Sequence, residues 1–175
     1  VSGAGKKYKK VAGIIWGTGL GGGIVIDKNI FNSQVEPGHT VLDPIAKVKC
    51  TSGHRGDLES FTSAPNLIKY YKLFGGHNRQ ADSIYIMSGK DRAARLVANQ
   101  AIKYLSISLA FIINLLNPDI IVLGGGISNS GHYREINTLV NKFVAPEFKN
   151  KCRVVKYKIS DSAGAWGAAH LALWS

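Results

Sequence analysis

Apolar residues in this chain alternate between short runs with strand period and longer stretches with helix period. Val11 to Trp16 is a short apolar run that ends in glycine. A second run follows at Ile24 to Asp27, and a third at Ile30 with Phe31. Glycines and Asp-Lys-Asn separate them, so two linked hairpins are expected. From Gln34 to Gly56 the chain is rich in Gly, Pro, His and small polar residues, which reads as an irregular, functional segment. Leu58 to Phe74 has helical period, with Leu58, Phe61, Leu67, Ile68, Tyr71 and Phe74 on the apolar side and Gly75-Gly76 as the stop.

A long helix is expected from about Lys90 to Leu116, where Ala93, Leu96, Val97, Ala101, Tyr104, Leu105, Leu109 and Ile112 fit the same period and Asn117-Pro118 ends it. Asp119 to Leu123 reads as a buried strand opening into Gly124-Gly125-Gly126. A helix over Tyr133 to Phe148, a strand over Arg153 to Ile159 and a last helix over Ala163 to Trp174 complete the pattern. From residue 90 onward helices and strands alternate, which implies an α/β fold with helices covering a sheet.

Composition adds three constraints. At 175 residues and 45% apolar content, a packed core is expected. Lys plus Arg is 22 against 11 for Asp plus Glu, a formal charge of +11 that favours anionic partners. Its densest cluster, Lys6, Lys7, Lys9 and Lys10, reads as a solvated end, with a phosphate or nucleic-acid patch as the alternative. The two cysteines, Cys50 and Cys152, form no disulfide framework, and reduced thiols fit a cytoplasmic protein. The most apolar stretch, Leu105 to Leu116, is shorter than the roughly 20 residues a bilayer crossing needs. It reads as a buried helix, and no membrane partner is expected.

Four segments carry candidate chemistry. Gly17-Thr18-Gly19-Leu20-Gly21-Gly22-Gly23 lies between two strands. Glycine lets backbone N–H groups approach an anion, and Thr18 adds a hydroxyl, so the segment reads as a phosphate-wrapping turn or, alternatively, a flexible hairpin. No Gly-Lys-Ser/Thr follows, and a strand rather than a helix comes next, so it is neither a P-loop nor a dinucleotide fingerprint. Glu36-Pro37-Gly38-His39 can aim a carboxylate and an imidazole at one polyhydroxyl ligand, or can be a turn with a surface Glu. In Cys50-Thr51-Ser52-Gly53-His54-Arg55-Gly56-Asp57-Leu58-Glu59, two glycines suggest a tight knuckle, and Glu59 falls in a first helical turn where it could serve as a cap. Finally, a strand ending in Gly124, Gly125 and Gly126 is where α/β sheets bind ligands.

These four segments, in this order and over almost the whole chain from Gly3 to Leu173, resemble the ROK family of sugar kinases and sugar-responsive repressors. The resemblance implies the C-terminal lobe of an actin-like ATPase (ribonuclease H-like) fold over residues 1–175. It further implies that Gly17, Thr18, Gly19 and Gly21 contact ATP phosphates, that Gly124, Gly125 and Gly126 flank the adenosine, and that Glu36, His39 and Glu59 contact sugar hydroxyls. ATP and Mg2+ are the implied cofactors, a hexose the substrate, and a second copy or a complementing N-terminal segment the protein partner.

The chain departs from the family pattern in two places. Family members are longer, and their first half carries an Asp-x-Gly-Gly-Thr phosphate turn and an Asn-Asp pair that supplies the general base. Neither occurs here, and no acidic residue precedes Asp27, so no catalytic residue is assigned and the chain alone is expected to be inactive. The family also binds zinc through the histidine at His39 and three cysteines. Here Cys50 is kept, but Ser52 and Asp57 stand at the other positions. Zinc is not expected, although His39, Cys50, His54 and Asp57 remain an alternative donor set. The leading expectation is an ATP-dependent hexose kinase. The rivals are a ROK-type sugar-responsive transcriptional regulator and, more weakly, a basic nucleic-acid binder, for which the lysines are too scattered.

Overall fold

The computed structural model describes residues 3–31, 35–77 and 80–158. Its centre is a five-stranded mixed sheet of order β3-β2-β1-β4-β5. The strands are β1 (Lys10–Trp16), β2 (Leu20–Ile26), β3 (Asn29–Ile30), β4 (Ile120–Gly124) and β5 (Arg153–Lys156). β1, β2 and β3 form an antiparallel meander, the two expected hairpins, while β4 and β5 run parallel to β1. The apolar run in β1 explains its centrality. Ala12, Ile14 and Trp16 point into the core at two-residue spacing, while Ile15 on the other face is 60% exposed.

The glycines reach further into the sheet than the sequence pattern implies. Gly21, Gly22 and Gly23 are not part of the turn but belong to β2, opposite Ile15, Ile14 and Gly13 of β1. The turn itself is only Gly17 to Gly19, closed by Gly17 N–H donating to the Gly19 carbonyl at 3.0 Å. Strand pairing then puts both glycine segments at one end of the sheet, since Ile15, just before the turn, pairs with Gly124 at the end of β4.

Five helices are described: α1 (Leu58–Thr62), α2 (Ala64–Leu73), α3 (Ala81–Met87), α4 (Arg92–Leu116) and α5 (Tyr133–Phe143). The single helix expected over Leu58 to Phe74 is broken at Ser63, which is extended at ψ 146°. Pro65 is the cause. A continuous helix would need an N–H at that position and would press the ring against the Phe61 carbonyl. The helix expected to reach Phe148 stops at Phe143 for the same reason, because Pro146 follows and Val144 turns extended. α3 has no counterpart in the sequence expectation. The helix expected over Ala163 to Trp174 and the end of the strand at Ile159 lie outside the described residues.

α4 overturns one length argument. The apolar stretch Leu105 to Leu116 is shorter than a bilayer crossing, yet the whole helix has 25 residues and is long and apolar enough to cross one. Burial assigns it to the core: Ala94, Val97, Ala98, Ala101, Leu105, Leu109 and Ile113 form one stripe inside the same cluster as Ile14, Trp16, Ile121 and Leu123. α1, α2, α3 and α5 all pack on α4.

Candidate functional site

The turn between β1 and β2 is fixed from beneath by the break between α1 and α2. Ala64 N–H, freed by the break, donates to the Gly17 carbonyl at 2.9 Å. The indole N–H of Trp16, whose side chain is fully buried, donates to the Thr62 carbonyl at 2.9 Å. The proline that splits the helix therefore also supplies the anchor of the glycine turn. Thr18 at its tip is exposed.

Glu59 joins this turn to the segment carrying His39. Its Oε1 accepts from Leu20 N–H at 2.6 Å, inside a nearly closed environment. A Cβ on Gly19 would lie 2.6 Å from that oxygen, and one on Gly38 would lie 2.3 Å from the Leu20 carbonyl. Glycine at both positions is thus what lets turn, carboxylate and the short 3-10 turn Pro37–His39 close on one another. Among the described residues Glu59 Oε2 has no hydrogen bond recorded, so one oxygen holds the turn and the other is available to a ligand. Glu59 is not the helix cap. That role falls to Asp57, whose Oδ1 accepts from Ser60 N–H at 2.9 Å and from the Ser60 hydroxyl at 2.6 Å.

Asp57 is fully buried, and its second oxygen accepts from His39 Nδ1 at 3.0 Å. Burial is the largest influence on Asp57 and favours the neutral acid. Hydrogen bonds from the Ser60 hydroxyl, His39, the Cys50 thiol and Ser60 N–H together outweigh it and hold the carboxyl below its usual value. His39 is pushed up, chiefly by its bond to Asp57, against desolvation and with help from the charges of Glu59, Asp57 and Glu36. Burial raises Cys50. Glu36 is exposed and makes no cap bond to the 3-10 turn it precedes. Of the three sugar-binding candidates, the structure therefore brings His39 and Glu59 together with Cys50, ligand atoms within 4.8 Å of one another, and leaves Glu36 at the rim.

The second glycine segment closes against the first. Gly125 has φ 87°, and a Cβ there would lie 2.4 Å from the Trp16 carbonyl oxygen. Gly124 and Gly126 border it without such crowding. A 3-10 turn, Gly126–Ser130, follows, with the Ser128 hydroxyl donating to the Gly125 carbonyl at 2.6 Å. Two contributions were not read from the sequence. Asp119 Oδ2 accepts from Lys9 and Lys10 N–H at 2.9 and 2.8 Å, joining the start of β4 to the start of β1. Asp57 stands in the sequence reading as a replaced cysteine and an alternative metal donor, not as a cap, although Asp-Leu-Glu-Ser at a helix start is a recognisable cap signal. A groove of about 660 Å3 between α5 and β5, lined by Asn137, Cys152 and Arg153, contains none of these residues.

The donor atoms near His39 do not converge on one point. They divide into two sets, His39 with His54 and Asp57, and His39 with Cys50 and Glu59, sharing only His39. Both Asp57 oxygens and one Glu59 oxygen already accept hydrogen bonds. The residues present do not fit a four-ligand zinc site.

The profile of the ROK family matches residues 1–174. Among characterised proteins, the chain is 28% identical to a glucokinase of Thermotoga maritima, with 97% of this chain and 60% of that protein covered. It is 31% identical to an N-acetyl-D-glucosamine kinase of Vibrio atlanticus, with 95% of this chain and 60% of that protein covered. The chain thus spans 60% of the length of each of these relatives. Among solved structures, a ROK hexokinase from Thermus thermophilus superposes with a TM-score of 0.84 at 22% identity, covering 98% of this chain and 60% of that one. A ROK glucokinase from Streptomyces griseus in complex with glucose and AMPPNP gives 0.82 at 24% identity, covering 96% and 62%. A ROK transcriptional regulator, a homologue of the Escherichia coli MLC protein, gives 0.81 at 25% identity, covering 95% and 46%.

Proposed function

The chain belongs to the ROK family and has the actin-like ATPase fold, and we propose that it is the nucleotide- and sugar-binding part of an ATP-dependent hexose kinase. The observation that carries this reading is the bond from Leu20 N–H to Glu59 Oε1 at 2.6 Å. It ties the segment suited to phosphate directly to the segment suited to sugar hydroxyls, so the two ligands would lie side by side.

In this reading, the turn Gly17 to Gly19 contacts ATP phosphates through the N–H groups of Thr18 and Gly19 and the Thr18 hydroxyl, since the Gly17 N–H closes the turn, and the open face of Gly21 admits them. No atom lies within 4 Å of where a Gly21 Cβ would stand, so that face is free for a ligand. Gly124 to Gly126 offer bare backbone to the adenosine. Glu59 Oε2, His39 and the rim carboxylate of Glu36 bind and orient sugar hydroxyls. Magnesium would neutralise phosphate charge when bound. The hydroxyl oxygen attacks the γ-phosphorus, the bond to ADP breaks, and the hydroxyl proton must leave to a base. No such base is assigned among the described residues, whose role is binding and orientation.

The test is hexose-dependent ADP release with Mg-ATP by the chain supplied, in cis or as a second polypeptide, with the complementing N-terminal segment of a ROK kinase, offered glucose and N-acetylglucosamine separately. Gly21→Val should raise the KM for ATP by about tenfold or more with little effect on that for sugar, because a branched Cβ blocks the approach of phosphate. Glu36→Gln should do the reverse. The likeness to a transcriptional regulator supports a second reading, in which hexose binds but neither sugar elicits ADP release.

A further inference from the structure

The segment from Thr40 to Leu58 is closed by its own backbone. Cys50 N–H donates to the His54 carbonyl at 2.9 Å, Gly53 N–H to that of Cys50 at 3.1 Å, Gly56 N–H to that of Val48 at 3.2 Å and Leu58 N–H to that of Thr40 at 3.0 Å. Leu42 and Asp43 N–H both donate to the Gly56 carbonyl. Gly56 sits at φ +64°, where a Cβ would lie 1.8 Å from the Asp43 carbonyl oxygen, so this crossing can be made only by glycine. The knuckle is therefore held shut by main-chain hydrogen bonds.

At its heart lies an unusual residue for such a place, a carboxylate with no exposed surface. Asp57 is stabilised by two bonds from Ser60 to one oxygen, and its other oxygen accepts from His39 Nδ1. The Cys50 thiol also bonds it. An imidazole bonded through Nδ1 has its tautomer and ring orientation set from that side. Nε2, on the ring edge away from Asp57, makes no hydrogen bond among the described residues.

We propose that Asp57 is a positioning residue that replaces a metal ion: it holds His39 by Nδ1, leaves Nε2 to the hexose, and makes the sugar-binding knuckle independent of zinc. The hexose as the ligand of Nε2 rests on the kinase reading above, whereas the tautomer and the metal independence do not.

The experiment has a metal arm, a spectroscopic arm and a binding arm, all on the protein itself. Protein produced in zinc-supplemented medium and dialysed against a chelator should carry far less than one zinc per chain, and the chelator should not shift its melting temperature. One zinc per chain surviving dialysis overturns the proposal. Nitrogen-15 spectra of His39 should show Nδ1 protonated across the neutral range, and Asp57→Asn, which keeps the cap, should lower the His39 titration midpoint. A wild-type His39 with Nδ1 unprotonated, or an Asp57→Asn variant with unchanged titration, also overturns it. The wild-type spectrum decides the matter should the variant fail to fold. In calorimetry Asp57→Asn should weaken hexose binding about tenfold, as for loss of an oriented hydrogen bond to a charged group. Wild-type protein that binds no hexose would sink the kinase reading while the metal and spectroscopic arms still decide the role of Asp57. The double variant Ser52→Cys with Asp57→Cys should gain zinc, and failure of zinc to bind it would count against Asp57 standing at a metal position.

Discussion

His39 and Asp57 give opposite pH limbs to stability. His39 is raised in the folded state, so its contribution is complete below the unfolded value of about 6.5 and is lost as pH rises through the folded value. Asp57 is lowered, so its contribution is present above about pH 4 and is lost as pH falls through its folded value. The melting-temperature difference between wild type and His39→Gln should thus be greatest between these limbs and shrink above neutrality. The groups that set the window are Asp57, Glu59 and Glu36 around His39, with the His54 ring 4.7 Å away between centroids. A difference that grows with rising pH would contradict the assignment. The glycines separate by role in the same way. Gly125→Ala combines a left-handed backbone with a clash on the Trp16 carbonyl, and chemical denaturation should register a loss of about 2–5 kcal/mol. Gly21→Ala meets open space and should change stability by less than about 1 kcal/mol.

Among the elements, the long helix α4 depends on a cap that also reaches a neighbour. Asp91 Oδ1 accepts from Ala94 N–H at 3.1 Å, and its other oxygen accepts from the Tyr71 hydroxyl on α2. Asp91→Ala should cost about 1–2 kcal/mol in equilibrium unfolding, with the larger part from the cap. The α1–α2 break is the element-scale feature with functional weight. Helical period holds on both sides of it for Leu58, Phe61, Leu67 and Tyr71, all buried, while Phe74 at the helix end is 46% exposed. Period alone could not register that Pro65 interrupts the ladder, nor that the Ala64 N–H released by the break would be taken up by Gly17. That partner is 47 residues away in the chain, and no local pattern encodes it.

On the scale of the whole molecule, the two glycine segments are brought together by the parallel pairing of β1 with β4, and Glu59, proposed for the sugar, is tied to the first of them by Leu20 N–H, so sugar binding should be felt across the fold. A hexose at 100 times its Kd stabilises the state it binds by about 2.7 kcal/mol, which for a domain of this size corresponds to a melting-temperature rise of roughly 5–10 °C. Scanning calorimetry with glucose and N-acetylglucosamine should show that rise for one sugar at a lower concentration than for the other, and no rise with either would count against a sugar site. Of the densest basic cluster, Lys6, Lys7 and Lys9 lie exposed on the segment leading into β1.

Much of this was decided by residue order alone. The apolar run of β1, the stripe on α4, the stop at Asn117-Pro118 and the four glycine-marked segments all follow from local rules, because side-chain period and backbone freedom are properties of a few neighbouring residues. Tertiary structure decided how those segments meet. It assigned Gly21 to Gly23 to a strand, gave the cap to Asp57 rather than Glu59, turned one Glu59 oxygen to the glycine turn, and left Glu36 at the rim. It also made the buried carboxylate of Asp57 the partner of His39 Nδ1. Such pairings are set by which groups lose water together when distant segments pack, and that outcome belongs to the closed chain, not to any stretch of it.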